Sequence, residues 1–224
     1  PRCQPLDSIQ RRVLGVLIEK AKTTPENYPL SLNALCAGCN QKNNRDPVME
    51  LDEETAYQTL EELRGMGLVT RVLTSGGRTD RFKHLANEVY GWDGKQRAVM
   101  AEFLLRGPQT LAELRTRCSR MTSFESAEQM TAVLDSLAAA DPPFVRLLPR
   151  APGQREARYT HLMYPDDETP PSPRSDVSSE RAVAPAGDGP RPLREDVEAL
   201  RAELAELHRA VQHLAQRLDT LEGR

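Results

Sequence analysis

The chain has 224 residues, enough for one or two domains with real cores, and its 38% hydrophobic, 4% aromatic and 28% charged residues suit a helical, surface-rich protein better than a large sheet enzyme. A net charge of −3 gives no global attraction to nucleic acid, so any such affinity has to come from local patches. No apolar run approaches the roughly 20 residues that span a bilayer, and the amino end lacks a signal peptide's apolar core, so a cytoplasmic protein with no membrane partner is expected.

Asp7 or Ser8 can cap a first helix whose stripe is Ile9, Val13, Leu14, Val16, Leu17 and Ile18, ending near Lys22. A two-proline loop follows, and Ser31 caps a short helix through Leu32, Leu35 and Cys36. Residues 39–47 are too polar for core and read as a long ordered turn. Asp52 opens a third helix closed by Gly65 or Gly67; residues 68–73 and 80–85 are strands around the turn 75–77.

The same grammar then repeats. Val99, Met100, Phe103, Leu104 and Leu105 line a helix ended by Gly107 and Pro108. Thr110 caps a short helix over 111–118, a longer helix is expected over 123–140, and residues 144–148 and 157–162 are strands. Residues 165–192 change abruptly to Pro, Ser, Gly and acids, the composition of a disordered linker. Beyond it Val197, Leu204, Val211 and Leu218 fall at heptad position a, and Leu193, Leu200, Leu207, Leu214 and Leu221 at d, the pattern of a parallel two-stranded zipper. A homodimer through this helix is expected; the alternative is a lone helix packing on its own domain.

Three helices plus a hairpin usually make a winged helix, a module that commonly binds DNA. Yet the third helices, which would read bases, carry Asp52, Glu53, Glu54, Glu61 and Glu62 in one copy and Glu125, Glu128 and Asp135 in the other. Phosphates repel such faces, so double-stranded DNA is expected to meet the wings and loops instead. The nucleic-acid candidates are Arg71, Arg78, Arg81 and Lys83 around the first turn, and Arg150, Arg155 and Arg158 around the second. Arg115 towards the end of the second short helix, and Lys42 and Arg45 in the polar turn, complete the set. Cations on edge strands also serve simply to prevent aggregation.

Cys36 and Cys39 form a C-x-x-C, but no second ligand pair accompanies it, and four scattered cysteines fit reduced thiols. No Ser-His-Asp set, phosphate-cradling loop or paired carboxylates stand out, so neither catalysis nor a cofactor or metal is expected.

The runs at residues 16–20, 28–35 and 39–49, and Leu105-Arg106-Gly107-Pro108-Gln109-Thr110-Leu111-Ala112-Glu113-Leu114-Arg115, resemble the YceH-like family of uncharacterised bacterial proteins. The resemblance covers most of residues 8–164 and implies two winged-helix domains in tandem, without implying an activity. The expected fold is mainly α with small β hairpins (α+β). It comprises winged-helix domains at 1–90 and 91–164, a linker at 165–192 and a coiled coil at 193–224. The expected function is a non-catalytic, dimeric DNA-binding regulator. The alternative is a protein-binding scaffold, the use made of such modules in chromosome-condensing complexes.

Overall fold

The computed structural model describes residues 3–72, 80–150 and 155–169. The chain falls into two units, residues 1–175 and 176–224, and every described residue belongs to the first. The zipper positions 193–221, most of the linker, Arg78 and both hairpin tips therefore lie outside the described residues.

What is described is mixed α/β, about half helical, with two three-stranded antiparallel sheets. Asp7 opens α1 (Ser8–Thr23): its carboxylate accepts from the N–H groups of Ile9 and Gln10, and the Gln10 side chain accepts from the Asp7 N–H. A short strand, β1 (Leu30–Ser31), runs directly into α2 (Leu32–Cys39), because the Ser31 hydroxyl caps that helix. Asp52 caps α3 (Glu53–Gly65), and Gly67, at φ +76°, turns the chain towards β2 (Val69–Val72). The strand β3 (Arg81–His84) and the short helix α4 (Ala86–Tyr90) complete the first half.

The second half repeats these devices. Asp93 and Gln96 form the same capping box on α5 (Gly94–Arg106), and Thr110 both ends β4 (Gln109–Thr110) and caps α6 (Leu111–Cys118). Then come α7 (Ala127–Ala138), β5 (Val145–Leu147) and β6 (Arg158–His161). Strand orders are β1-β3-β2 and β4-β6-β5; Phe82 pairs with Leu30 and Arg71, and Tyr159 with Gln109 and Leu147.

Three features depart from the sequence reading. Each expected hairpin is joined by a third strand, too short at two residues to show a period. The long helix of the second copy starts at Ala127 rather than 123, because the Ser126 hydroxyl caps it by accepting from the Gln129 N–H and Phe124 ahead of it is buried. The five-residue α4 gave no stripe to read.

Buried side chains of both halves form one continuous core. Val13, Leu14, Leu17 and Ile18 on α1 and Val99, Met100, Phe103 and Leu105 on α5 have no exposed surface. Gly15 permits the close approach of these helices, since a Cβ there would lie 3.1 Å from both Leu104 and Leu105 side chains. Backbone bonds from Leu6 N–H to the Met163 carbonyl and from Asp46 N–H to the Leu105 carbonyl, both 2.9 Å, also join the halves. Tyr90 stacks on Trp92 at 4.4 Å, with Phe144 edge-on to both. No described helix is long and apolar enough to cross a membrane.

Candidate nucleic-acid interface

The ten basic candidates separate into two groups. Lys42, Arg115, Arg150 and Arg155 are exposed and Lys83 is partly buried, and none of these five forms an ion pair among the described residues. Arg78 is outside the described residues. The remaining four are engaged by the fold. Arg71 pairs with Asp80 at 3.0 Å, both side chains about 40% exposed, so water screens that contact.

Arg81 and Arg158 occupy equivalent places on β3 and β6 and do the same work. Arg81 donates to the Pro29 carbonyl at 2.9 Å, and Arg158 to the Pro108 carbonyl at 3.2 Å. Each ties the central strand of its sheet to the residue just ahead of the short strand. Arg158 also pairs with Glu113 at 2.7 Å, a carboxylate that α2 lacks, since Ala34 holds the corresponding place. Both guanidiniums are thus partly committed within their sheets, a cross-bracing role that the sequence reading did not assign.

Arg45 is a clearer correction. Its side chain is fully buried, with Nη2 2.5 Å from Glu19 Oε2, Nη1 3.2 Å from Glu19 Oε1 and Nε donating to the Gly38 carbonyl. The polar turn expected to stay out of the core therefore enters it, at Cys39 as well as Arg45. Neutralisation by Glu19 is what permits this, because a lone guanidinium could not be taken from water.

Around that pair lies a cluster the sequence reading missed. Glu19 on α1 and Glu102 on α5 are both fully buried, and Arg120 bridges them, bonding Glu19 and lying 2.5 Å from Glu102 Oε1. Arg106 lies 3.4 Å from Glu102 Oε2 and donates to Asn44 Oδ1 at 2.5 Å. Burial alone would raise the Glu19 carboxyl, but the Arg45 hydrogen bond and the charges of Arg45 and Arg120 hold it below the usual carboxylate range. Burial lowers Arg106, and the neighbouring Arg117, Arg120 and Arg45 lower it further against the pull of Glu102. These charges clamp the loop at 40–46 and the end of α6 onto both long helices. The sequence signal was an acid within each apolar stripe: Glu19 follows Val16, Leu17 and Ile18, and Glu102 precedes Phe103, Leu104 and Leu105.

The helix faces left exposed differ in character. On α3 they are Glu53, Glu54, Tyr57, Gln58 and Glu62. On α7 they are Glu128, Ala132, Asp135, Ser136 and Ala138, smaller and less charged. Between α6 and the approach to α7 lies an open groove of about 430 Å³ lined by Ala112, Arg115, Thr116, Ser119, Ser123 and Phe124. A guanidinium beside three hydroxyls offers donors suited to phosphate oxygens.

Burial pushes the Cys39 thiol up to about 12, and Cys36 donates its S–H to the Leu51 carbonyl. His84 Nδ1 accepts from the Ala86 N–H, and His161 Nδ1 from the Met163 N–H. Burial pushes His84 down to about 4 and His161 well below 6.5. Among the described residues no group of three or more His, Cys, Asp or Glu side chains is placed to hold a metal ion.

Residues 6–154 match the model of a family described as "Protein of unknown function, DUF480". The chain is 43% identical over 221 residues to a UPF0502 protein of Burkholderia pseudomallei strain 668, covering 97% of this chain and 91% of that one. It is 46% identical over 196 residues to a UPF0502 protein of Koribacter versatilis strain Ellin345, covering 88% and 87%. A third relative, from Cupriavidus necator, is 41% identical over 219 residues, covering 97% and 89%.

Proposed function

Since the chain belongs to the DUF480 family of proteins of unknown function, its role has to be read from its own side chains, and we propose that it is a non-catalytic, cytoplasmic DNA-binding protein built of two tandem winged-helix modules. The element order of each half, helix, short strand, two helices and two strands, supports the module assignment. A zipper at residues 193–224 would make it a dimer, placing its modules on two half-sites and adding avidity.

The observation that carries the DNA reading is the groove between α6 and α7. There Arg115, exposed and without an ion pair among the described residues, and three hydroxyls line an open groove ahead of α7. Arg115 and the wing residues Arg150 and Arg155 are the phosphate ligands in this reading, with Lys42 and Lys83 in support. The test is fluorescence anisotropy on a random-sequence duplex across a salt series. Binding that weakens steeply with salt, and falls about tenfold at low salt on Arg115→Ala with Arg150→Ala, supports the reading. Absence of binding at the lowest salt sinks it.

The acidic α3 face, with Tyr57 37% exposed among Glu53, Glu54 and Glu62, supports a second reading as a protein-binding scaffold. Failure of DNA binding in the same assay moves the weight to that face.

A further inference from the structure

Arg11 and Arg97 hold the same place in the two halves, four residues after the aspartate caps of α1 and α5. As braces they match: Arg11 Nη1 donates to the Leu6 carbonyl at 2.5 Å, and Arg97 Nη1 to the Trp92 carbonyl at 2.6 Å. Arg11 differs in what else it holds. Glu168 grips it bidentately, at 2.9 Å to Nη1 and 2.5 Å to Nη2, and its guanidinium lies 4.6 Å over the Tyr164 ring.

Beside this pair is a cavity of about 260 Å³ between the two halves. Two of its lining side chains carry buried nitrogens with no hydrogen-bond partner, His161 Nε2 and Arg12 Nε. Both side chains belong to essentially inaccessible residues, 0% and 1% exposed. Because His161 Nδ1 accepts from the Met163 N–H, the neutral ring carries its proton on Nε2, and burial keeps that ring neutral. Arg12 already donates through Nη1 to the Cys39 carbonyl and through Nη2 to the Pro47 carbonyl, while its Nε–H has no acceptor. The cavity thus presents two donors without acceptors next to a guanidinium already shaped around a carboxylate. Phe103, Leu104 and Met49 supply apolar wall. Asp46, also on the lining, is exposed, and its charge acts on Arg12 against the effects of burial and Arg45.

We propose that this cavity binds a small organic carboxylate with an apolar body. The ligand's carboxylate takes the place of Glu168 on Arg11, one oxygen reaches the orphan donors, and the body lies against Phe103 and Leu104. Glu168 is the built-in competitor, and with its side chain 35% exposed it is readily displaced into water. The volume lies just under the usual pocket range of about 300–1,000 Å³, which selects acids of benzoate size over nucleotides. This site is independent of the DNA reading.

The test is calorimetric titration of the full chain with acetate, hexanoate and benzoate, with benzamide as the neutral control, in wild type and Glu168→Gln. Removing the competing carboxylate is expected to tighten hexanoate or benzoate about fivefold or more, because the free site becomes more populated. Ligand should also shift the His161 Nε2–H resonance in both proteins. Three outcomes overturn the proposal: no acid binds Glu168→Gln saturably, wild type and Glu168→Gln bind equally, or benzamide binds as well as benzoate.

Discussion

The two halves of this chain share their scaffolding almost residue for residue and differ where they face outward. Asp7 and Asp93 cap equivalent helices with Gln10 and Gln96 in support; Arg81 and Arg158 brace equivalent strands; His84 and His161 accept equivalent backbone N–H groups. The third helices part company: α3 exposes three glutamates and a tyrosine, whereas α7 exposes two acids among small residues, beside the Arg115 groove. Repetition therefore marks what holds each half together, and divergence marks where the halves can do different things.

The charged clamp between the halves is the place to break the comparison hardest. Arg45→Ala leaves Glu19 buried with only Arg120, and is expected to cost about 3 kcal/mol in chemical denaturation, at the lower end for a broken buried pair. Gly15→Val would force α1 from α5 and cost about 1–3 kcal/mol on the same measurement. The two braces should differ in degree. Arg158→Ala, which loses Glu113 as well as a carbonyl, is expected to cost about 2 kcal/mol, and Arg81→Ala about 1 kcal/mol. Equal costs would show that Glu113 adds nothing.

The histidines give the smallest effect, spread over pH. His84 and His161 are held neutral in the folded state, so below pH 6.5, and for His84 down to about 4, the unfolded chain binds more protons. Their contribution is complete above pH 6.5 and is lost as pH falls, at about 1 kcal/mol per histidine per pH unit. Asparagine at either position keeps an acceptor and should flatten the slope of stability against pH. The Glu19 contribution is lost lower, as pH falls below the usual carboxylate range, so the two windows are separable.

Much of this fold could be read locally. Asp7, Ser31, Asp52 and Thr110 were legible as caps because a cap's partners lie within three residues. The roles of the arginines were not, because each depends on a partner brought from far along the chain. Arg45 meets Glu19 from 26 residues away, Arg120 meets the same carboxylate from 101, and Arg158 meets Glu113 from 45. A cation's sequence neighbours say whether it sits in a turn, not whether a buried acid is waiting for it. Glu168 on Arg11, 157 residues apart, was illegible for the same reason.

In the proposed DNA-binding role, the fold engages one set of arginines and leaves Arg115, Arg150 and Arg155, all in the second half, to meet phosphates. The most direct test is the salt dependence of duplex binding in two double variants, Arg115→Ala with Arg155→Ala and Arg71→Ala with Arg81→Ala. The first pair should lower the slope of log affinity against log salt by about 1.8, the value for two lost phosphate contacts, and the second should leave it unchanged. A slope lowered by the Arg71 and Arg81 pair but not by the Arg115 and Arg155 pair would contradict the account.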